Sequence, residues 1–383
     1  MLIGGNVAGK SNALEGLQAL GRLAAGLTLR EALTGSTQSP SPIRGGAHGC
    51  APVGSDSFGL GCTIRSHEGT FGLDIVVQTG RELSLRTETL SWPGGIATTA
   101  LESDSRPTGG ADRLNAVVIG AIPPDYSASE DFASQLRAAQ TVVSALRRVK
   151  PIDPDPRTMR GYATRGNAPL LPDGSNLSAV IDSIRGRGDA AFSGLEEAVG
   201  TLSDGRITGL DLTETSIDDV QLLLREGSTS IPARLASDGA LRFIAFAAAL
   251  FDTTEVADPG SVGAEGLIMI EEVERGLYPA QAGTLLDLIR RRSATHSASV
   301  IVTTHSPALL TALRPEEHPD VIVCSRDPES GSSRLCRLTE LPGYPELIAA
   351  GGLGGAVTGG GLDAAQRERP RTAREFFDFL ESL

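Results

Sequence analysis

The chain has 383 residues, of which 40% are hydrophobic and 21% are charged, a composition typical of folded globular proteins. The formal net charge of −13 excludes a surface that is basic throughout, so any contact with nucleic acid has to come from a local patch. No apolar run reaches the roughly 18 residues that a membrane-spanning helix needs, and no charged and then apolar leader opens the chain. We therefore expect a cytoplasmic protein with no membrane partner.

The positions of the cysteines and the small number of lysines indicate which kinds of binding site the chain can contain. The cysteines lie far apart and show no C-x-x-C spacing, which predicts neither a zinc site nor a disulfide framework; they are Cys50, Cys62, Cys324 and Cys336. Lys10 and Lys150 are the only lysines, and the rest of the 34 basic residues are arginine. A lysine retained in such a sequence indicates a site that needs a compact point charge rather than a planar guanidinium.

The first third of the chain reads as a strand, a glycine-rich turn and a helix, followed by β structure. A short apolar segment at 1–3 precedes the turn, and leucines at helical spacing run from Leu14 to Leu27. A loop rich in Gly, Pro and Ser is expected over 34–61. Alternating residues at 72–78 and 83–90 predict an antiparallel pair of strands.

Beyond a Gly/Ser/Thr-rich boundary at 93–111, helices and strands alternate. Helices are predicted at 131–149, 177–184, 190–202, 239–251 and 280–291, and strands at 207–212, 220–224, 267–270, 300–303 and 321–324, with a glycine-rich loop at 351–361 and a terminal helix at 372–383. The pattern predicts an α/β fold whose mainly parallel sheet is covered by helices on both faces, with an antiparallel β subdomain and an inserted helical lobe. We expect three parts: 1–112, 113–205 and 206–383.

The turn after the first strand carries the motif G-x-x-x-x-G-K-[ST], from Gly4 to Ser11. Glycines let the backbone fold its N–H groups around phosphates, Lys10 can reach the β- and γ-phosphates of a nucleotide, and Ser11 can bind magnesium. A glycine-rich helix cap is the alternative. The candidate nucleotide-binding residues are Gly4, Asn6, Gly9, Lys10, Ser11 and Asn12.

Two acids and a histidine follow buried strands later in the chain. Glu271 and Glu272 come directly after the apolar segment 267–270, and His305 follows the next strand. Glu271 could hold the magnesium shell and Glu272 could act as general base on water, whereas alone such a pair is usually a solvated helix start. His305 could contact a γ-phosphate or the attacking water, although a single histidine at a strand end is more often structural.

A last motif, S-D-G-A-L-R from Ser237 to Arg242, opens the apolar helix before the acids. By itself this motif is best explained by helix capping. In order, however, these elements resemble the ABC-type ATPases of the RecF-like and OLD-like group, often labelled AAA-family ATPases. The resemblance rests on P-A-R-L-A-S-D-G ending at Gly239, on I-E-E-V-E-R-G-L-Y-P starting at Ile270, and on T-T-H-S-P around His305, and D-G-S-N-L at 173–177 is also similar to a segment common in the group.

The resemblance implies a P-loop NTPase fold of ABC type that uses ATP and Mg²⁺. It further implies a head-to-tail homodimer in which Ser237 and Gly239 of one copy contact the γ-phosphate held by the other. Lys10, Glu272 and His305 would then be catalytic in cis, and Ser11 and Glu271 would bind the metal.

Two functions agree with this resemblance. One is an ATPase that drives or licenses a partner in DNA repair or phage defence. The other is an ATP-sensing dimerisation switch with little turnover that regulates a separate effector protein. A transporter motor is less favoured, because the sequence between Lys10 and Ser237 is far longer than transporter motors insert. A DNA contact could come from Arg147, Arg148 and Lys150, although a solvated basic face is the simpler explanation.

Overall fold

The computed structural model describes the chain with gaps. The described residues are 1–35, 42–80, 83–100, 112–120, 129–166, 168–252, 266–296, 299–327, 330–349 and 352–358. The predicted terminal helix at 372–383 and most of the predicted boundary at 93–111 lie outside them. None of the described helices is long and apolar enough to cross a membrane.

The chain divides into two compact units. The first is formed by Met1–Ser11, Pro151–Thr254 and Ile268–Leu383, and the second by Asn12–Lys150 and Glu255–Leu267, counting in each the described residues. The three-part division expected from the sequence stays a prediction. In the structure, residues of the expected helical lobe contribute to the hydrophobic cores of both units.

The strands alternate with helices along most of the chain. In chain order they are β1 (Leu2–Ile3), β2 (Ser57–Ser66), β3 (Gly69–Gln78), β4 (Ser84–Trp92), β5 (Gly95–Ala100), β6 (Val149–Ile152), β7 (Ala163–Thr164), β8 (Gly209–Glu214), β9 (Asp219–Glu226), β10 (Thr229–Pro232), β11 (Leu267–Ile270), β12 (Ser299–Val302), β13 (Ile322–Arg326) and β14 (Ser333–Arg337).

The helices range from single turns to an 18-residue segment. They are α1 (Lys10–Ala24), α2 (Leu29–Thr34), α3 (Gly46–Gly49), α4 (Asn115–Gly120), α5 (Glu130–Arg147), α6 (Pro156–Met159), α7 (Leu177–Gly186), α8 (Asp189–Leu202), α9 (Asp238–Phe251), α10 (Ala282–His296), α11 (Pro307–Thr311), α12 (Tyr344–Ala349) and α13 (Gly352–Thr358).

The second unit contains an antiparallel sheet in the order β2-β3-β4-β5. The predicted pair β3–β4 is confirmed, with a bulge between Val76 and Val77. The loop predicted over 34–61 is wrong at its end, because β2 begins at Ser57 and pairs with β3 along its whole length. The alternating side chains of β3 send Phe71, Leu73, Ile75 and Val77 into a core shared with α5.

The first unit holds the elements that carry the motifs. β1 pairs with β13 in parallel and β13 pairs with β14 antiparallel. A parallel bridge joins Leu2 to Thr303, the residue after β12, while β12, β11 and β6 form a sheet in that order. Antiparallel strands β10, β9 and β7, with β8 also on β9, complete the strands of this unit. The predicted fold class, mixed α/β with parallel and antiparallel parts, is confirmed.

Helix α9 lies at the centre of the largest core. From Phe243 to Phe251 every residue is buried, which is why the sequence there is apolar on all faces of the helix. Residues of α7 and α8 and of β11 belong to the same core. This packing fixes the start of α9, where the S-D-G motif lies.

One predicted loop is a helix instead. The glycine-rich segment expected over 351–361 contains α13, with Leu353 only 3% exposed. A Cβ on Gly354 would lie 2.1 Å from Oγ1 of Thr311 and 2.6 Å from the carbonyl oxygen of Pro307, so α13 approaches α11 too closely for a larger residue. Glycine at this position therefore serves helix packing rather than chain flexibility.

Candidate functional site

The glycine-rich turn between β1 and α1 has the backbone conformation that the motif predicts. Gly4 and Gly9 have φ of 146° and 102°, and Val7 has φ of 68°. A Cβ on Gly4 would lie 2.2 Å from the carbonyl oxygen of Cys324 on β13, so the loop depends on glycine for space as well as conformation. β13 thus sets the position of the loop.

Lys10 lies at the first position of α1, with its side chain turned back toward the loop. Nζ donates hydrogen bonds to the carbonyl oxygens of Gly4, at 2.8 Å, and Gly5, at 3.1 Å, and the residue is 7% exposed. Burial lowers the pKa of Lys10, and nearby anionic groups, among them Glu272, Glu274 and Glu271, oppose this shift. The ammonium group is therefore held at the loop, where a phosphate would compete for it.

Ser11 meets the first acid of the predicted pair. Its hydroxyl donates a hydrogen bond to Oε1 of Glu271, which follows directly after β11. A hydroxyl and a carboxylate are both oxygen ligands of the kind that Mg²⁺ prefers. The structure thus brings together the two residues predicted from sequence as metal ligands.

The second acid has an unusual backbone. Glu272 has a backbone φ of 47°, a conformation that residues other than glycine rarely adopt. Its N–H donates to Oγ1 of Thr303 at 2.8 Å, and its carboxylate forms an ion pair with Arg275. Thr303 is 1% exposed and also donates its N–H to the carbonyl of Ile270 at 3.0 Å. The end of β12 therefore fixes the turn that carries Glu272.

His305 follows β12 and lies close to the loop and the acids. The preceding residue, Thr304, donates its N–H to the carbonyl of Leu2 at 3.2 Å, which places this segment beside β1. The N–H of His305 itself donates to Oε1 of Glu274 at 2.6 Å. Burial and then the charge of Lys10 lower the pKa of His305, and Glu274 and Glu272 oppose them. The neutral imidazole is therefore favoured at pH 7.

The signature-like segment lies against the loop that follows the acids. A Cβ on Gly239 would be 2.6 Å from the carbonyl oxygen of Gly276, so these two glycines are in close contact. Ser237 is the N-cap of α9 and accepts the N–H of Ala240 at 3.1 Å, which confirms the capping interpretation. A role for Ser237 and Gly239 toward a second copy stays a prediction.

Two candidate residues stand apart from these contacts. Asn6 in the loop and Asn12 in the first turn of α1 are both exposed. Their expected part in nucleotide binding stays a prediction.

Sequence reasoning missed two residues of this region, Asp153 and Arg160. Asp153 follows β6 as Glu271 follows β11, and its pKa is raised by burial and then by Glu271. The signal was the same, an acid after a strand of the same sheet. Arg160 donates to the carbonyl of Ala236 at 2.9 Å and to Asp238 at 2.7 Å, so it holds the start of α9. Nothing local in the sequence pairs residues this far apart.

The D-G-S-N-L segment forms a turn that contacts helix α6, which precedes Arg160. Asn176 accepts the N–H of Leu171 at 2.8 Å and donates to the carbonyl of Pro169 at 2.9 Å, closing a tight turn. The carbonyl of Asp173 accepts the hydroxyl of Thr158 at 3.0 Å. Since Thr158 lies in α6, this turn supports the helix that precedes Arg160.

The basic residues considered for DNA are partly buried. Arg147, Arg148 and Lys150 all have intermediate exposure. Arg147 donates from Nε to the carbonyl of Ala24 at 2.8 Å, and the carbonyl of Arg148 accepts the N–H of Leu267 at 3.1 Å. The contacts of Arg147 and Arg148 therefore lie within the second unit, and a DNA contact of the three residues stays a prediction.

A protein family model matches part of the chain. The family model described as "AAA domain, putative AbiEii toxin, Type IV TA system" matches residues 125–311, just under half of the chain. This segment includes Ser237, Glu271, Glu272 and His305 but not the glycine-rich loop. A search of curated proteins found no match.

Solved structures similar to this chain include heads of SMC proteins. An SmcHead bound to the C-winged helix domain of ScpA has a TM-score of 0.49 and 14% sequence identity. The SMC head domain from Thermotoga maritima has a TM-score of 0.40 and 11% identity. An Smc head domain with an extended coiled coil, derived from Pyrococcus furiosus and bound to the C-terminal domain of ScpA, has a TM-score of 0.46 and 13% identity. Each comparison covers 88% of this chain and 88% of the other.

Proposed function

We propose that this chain binds ATP with magnesium and hydrolyses it, and that two copies meeting head to tail complete the hydrolytic site. The observation that carries the proposal is the contact between Ser11 and Glu271 directly beside Lys10. A nucleoside triphosphate needs backbone N–H and ammonium groups as hydrogen-bond donors to its phosphate oxygens, and oxygen ligands for its metal ion. The glycine-rich loop, Lys10, Ser11 and Glu271 offer these in one place.

The residues present fit a magnesium ion. Ser11 and Glu271 would hold it, since their oxygens already share a hydrogen and would exchange that contact for the metal. Bound there, Mg²⁺ would neutralise part of the phosphate charge.

The chain's own residues then divide the chemistry. Lys10 would exchange the carbonyls of Gly4 and Gly5 for phosphate oxygens. Glu272 would take a proton from the attacking water. At the same time the water oxygen would bond to the γ-phosphorus, and the bond from the γ-phosphorus to the β–γ bridging oxygen would break. His305, favoured as the neutral imidazole, would hydrogen-bond the transferred phosphoryl group or the water.

Exposed apolar side chains support a second copy at this site. Val7 is 74% exposed in the glycine-rich loop, Leu235 is 71% exposed just before Ser237, and Tyr278 is 65% exposed after the acids. Large apolar residues exposed in the functional loops are typical of a surface that becomes covered on association. In a two-fold, head-to-tail dimer the glycine-rich loop of each copy would face the segment around Ser237 of the other copy.

Magnesium-dependent ATP hydrolysis tests the proposal most directly. Turnover would be measured at several protein concentrations for the wild type, Lys10→Ala and Glu272→Gln, with molecular mass recorded in parallel. We expect activity per molecule to rise with concentration and both variants to lose it, with Glu272→Gln still binding ATP as a trapped dimer. Turnover that survives in Glu272→Gln would show that the general base is assigned wrongly.

The alternative is an ATP-sensing switch with little turnover. It is favoured by the ion pair of Arg275 with Glu272, which engages the expected base in this conformation. A switch would bind ATP and dimerise, and it would hydrolyse ATP much more slowly than it dimerises. The same experiment separates the two functions, since ATP-dependent dimerisation without phosphate release indicates the switch.

We further propose that the ATP-driven dimer acts on a partner, in DNA repair or phage defence. The description of the matching family, which names a toxin and a toxin–antitoxin system, agrees with a defence role. ATP turnover with and without duplex DNA at two salt concentrations tests the DNA alternative. Stimulation that weakens with salt favours DNA, and no stimulation favours a separate effector protein.

A further inference from the structure

The third acid of the I-E-E-V-E segment, Glu274, contacts His305 but is neither a metal ligand nor the general base in the proposed function. Its Oε1 accepts the backbone N–H of His305 at 2.6 Å, a short charge-assisted hydrogen bond. The two residues are separated by 31 positions and lie after neighbouring strands of one sheet, β11 and β12. The bond ties the turn after the acids to the residue that carries the imidazole.

The other oxygen of this carboxylate is buried without a partner. Oε2 of Glu274 makes no hydrogen bond to any described residue, although it is shielded from solvent. A buried unsatisfied carboxylate oxygen costs free energy, so a purely structural role would be served better by a neutral acceptor. Since no second donor shares the charge, the carboxylate remains a source of negative potential inside the site.

Three charged groups on two elements act on the imidazole of His305. Lys10 comes from the start of α1, and Glu272 and Glu274 come from the turn after β11. Glu274 is also among the anions that act on Lys10. Glu274 therefore contacts the backbone of one predicted catalytic residue and lies within electrostatic reach of another.

We propose that Glu274 is a positioning residue that holds His305 for phosphoryl chemistry and places a buried negative charge beside it. The inference rests on the proposed function. Its basis is the hydrogen bond to the His305 backbone together with the buried, unshared carboxylate oxygen. Glu274 acts through His305 rather than on the nucleotide itself.

A double-mutant cycle tests how Glu274 acts. Glu274→Ala and Glu274→Gln would be measured for ATP turnover and for nucleotide affinity, each alone and combined with His305→Ala, with the exposed Glu226→Gln as matched control. We expect Glu274→Ala to lower kcat roughly 10- to 100-fold, the range for loss of a hydrogen bond to a charged group, with nucleotide affinity unchanged. Glu274→Gln keeps an acceptor for the His305 N–H and should lose less.

The combined variant decides the interpretation. If Glu274 acts through His305, adding Glu274→Ala to His305→Ala should cost little more than His305→Ala alone. Additive losses, or a loss confined to nucleotide affinity, would overturn the inference.

A second measurement does not depend on turnover. The imidazole of His305 would be titrated by NMR in the wild type and in Glu274→Gln, and its resonance assigned by comparison with His305→Asn. Because Glu274 opposes the lowering of the His305 pKa, removal of its charge should lower that pKa further. If the wild type proved inactive, this shift would still uphold the contact while the proposed function failed; an unchanged pKa would overturn the inference in either case.

Discussion

The hydroxyl of Ser11 donates a hydrogen bond to Oε1 of Glu271, across 260 positions of sequence. The contact joins the end of the glycine-rich loop to the end of β11. Neither residue is needed to build its own element, since α1 and β11 follow from their apolar residues. The contact supports the proposed magnesium site, in which both residues would be ligands.

The first prediction concerns the metal dependence. Ser11→Ala and Glu271→Gln should each raise the Mg²⁺ concentration that supports half-maximal turnover, by roughly 10-fold or more, because each removes an oxygen ligand or its charge. The measurement is phosphate release during a magnesium titration at saturating ATP. Ser230→Ala, which changes an exposed serine of β10, serves as the matched control. An unchanged midpoint in both variants would remove these residues from the metal site.

The second prediction concerns the shape of the loop. Gly4→Ala should destabilise the protein by about 1–3 kcal/mol, because an L-residue is strained at its positive φ and the new Cβ would lie 2.2 Å from the carbonyl of Cys324. Gly5→Ala is the control, since a Cβ there meets nothing within 4 Å. Urea denaturation compares the two. Equal unfolding midpoints would contradict the described loop conformation.

The third prediction concerns the ion pair of Arg275 with Glu272. Its members are 53% and 35% exposed, so screening by solvent limits its strength to that of a surface pair. Arg275→Ala should release Glu272 and raise the ATP turnover rate up to about fivefold, the equivalent of a surface pair of up to ~1 kcal/mol. Steady-state turnover at saturating ATP checks this. A large fall in turnover would instead indicate that Arg275 takes part in the reaction.

The fourth prediction concerns pH and the start of α9. Arg160 donates to Asp238, and this hydrogen bond lowers the pKa of Asp238. A carboxyl whose pKa is lowered by folding stabilises the protein above its unfolded pKa of about 3.9 and loses that contribution as pH falls through the folded value. Arg160→Gln should therefore lower Tm at pH 7 and pH 5, and the part of this difference that comes from Asp238 should shrink below about pH 4.

Thermal unfolding of both proteins across this range provides the measurement. Arg206→Gln, at an exposed arginine of the same unit, gives the control. A difference in Tm that grew as the pH fell would show that Arg160 stabilises the protein by means other than the charge of Asp238.

The local secondary structure around the motifs, and the candidate site residues within them, could be predicted from the sequence alone. The strand, loop and helix around Gly4–Ser11 were predictable because φ-positive glycines and apolar spacing act over a few residues. For the same reason β11 and α7, which begin where the sequence predicted, were correctly located, as was the body of α9. The local motifs also identified Glu271, Glu272 and His305 as candidates.

Tertiary structure decided which of these local features meet. The contacts of Ser11 with Glu271, of Glu274 with His305 and of Arg160 with Asp238 join residues 31 to 260 positions apart. Strand order and helix packing set such contacts, and both depend on how the whole core fills its volume. The same packing turned the glycine-rich segment at 352–358 into a helix against α11. Local sequence patterns predict elements, whereas the pairing of distant side chains requires the folded core.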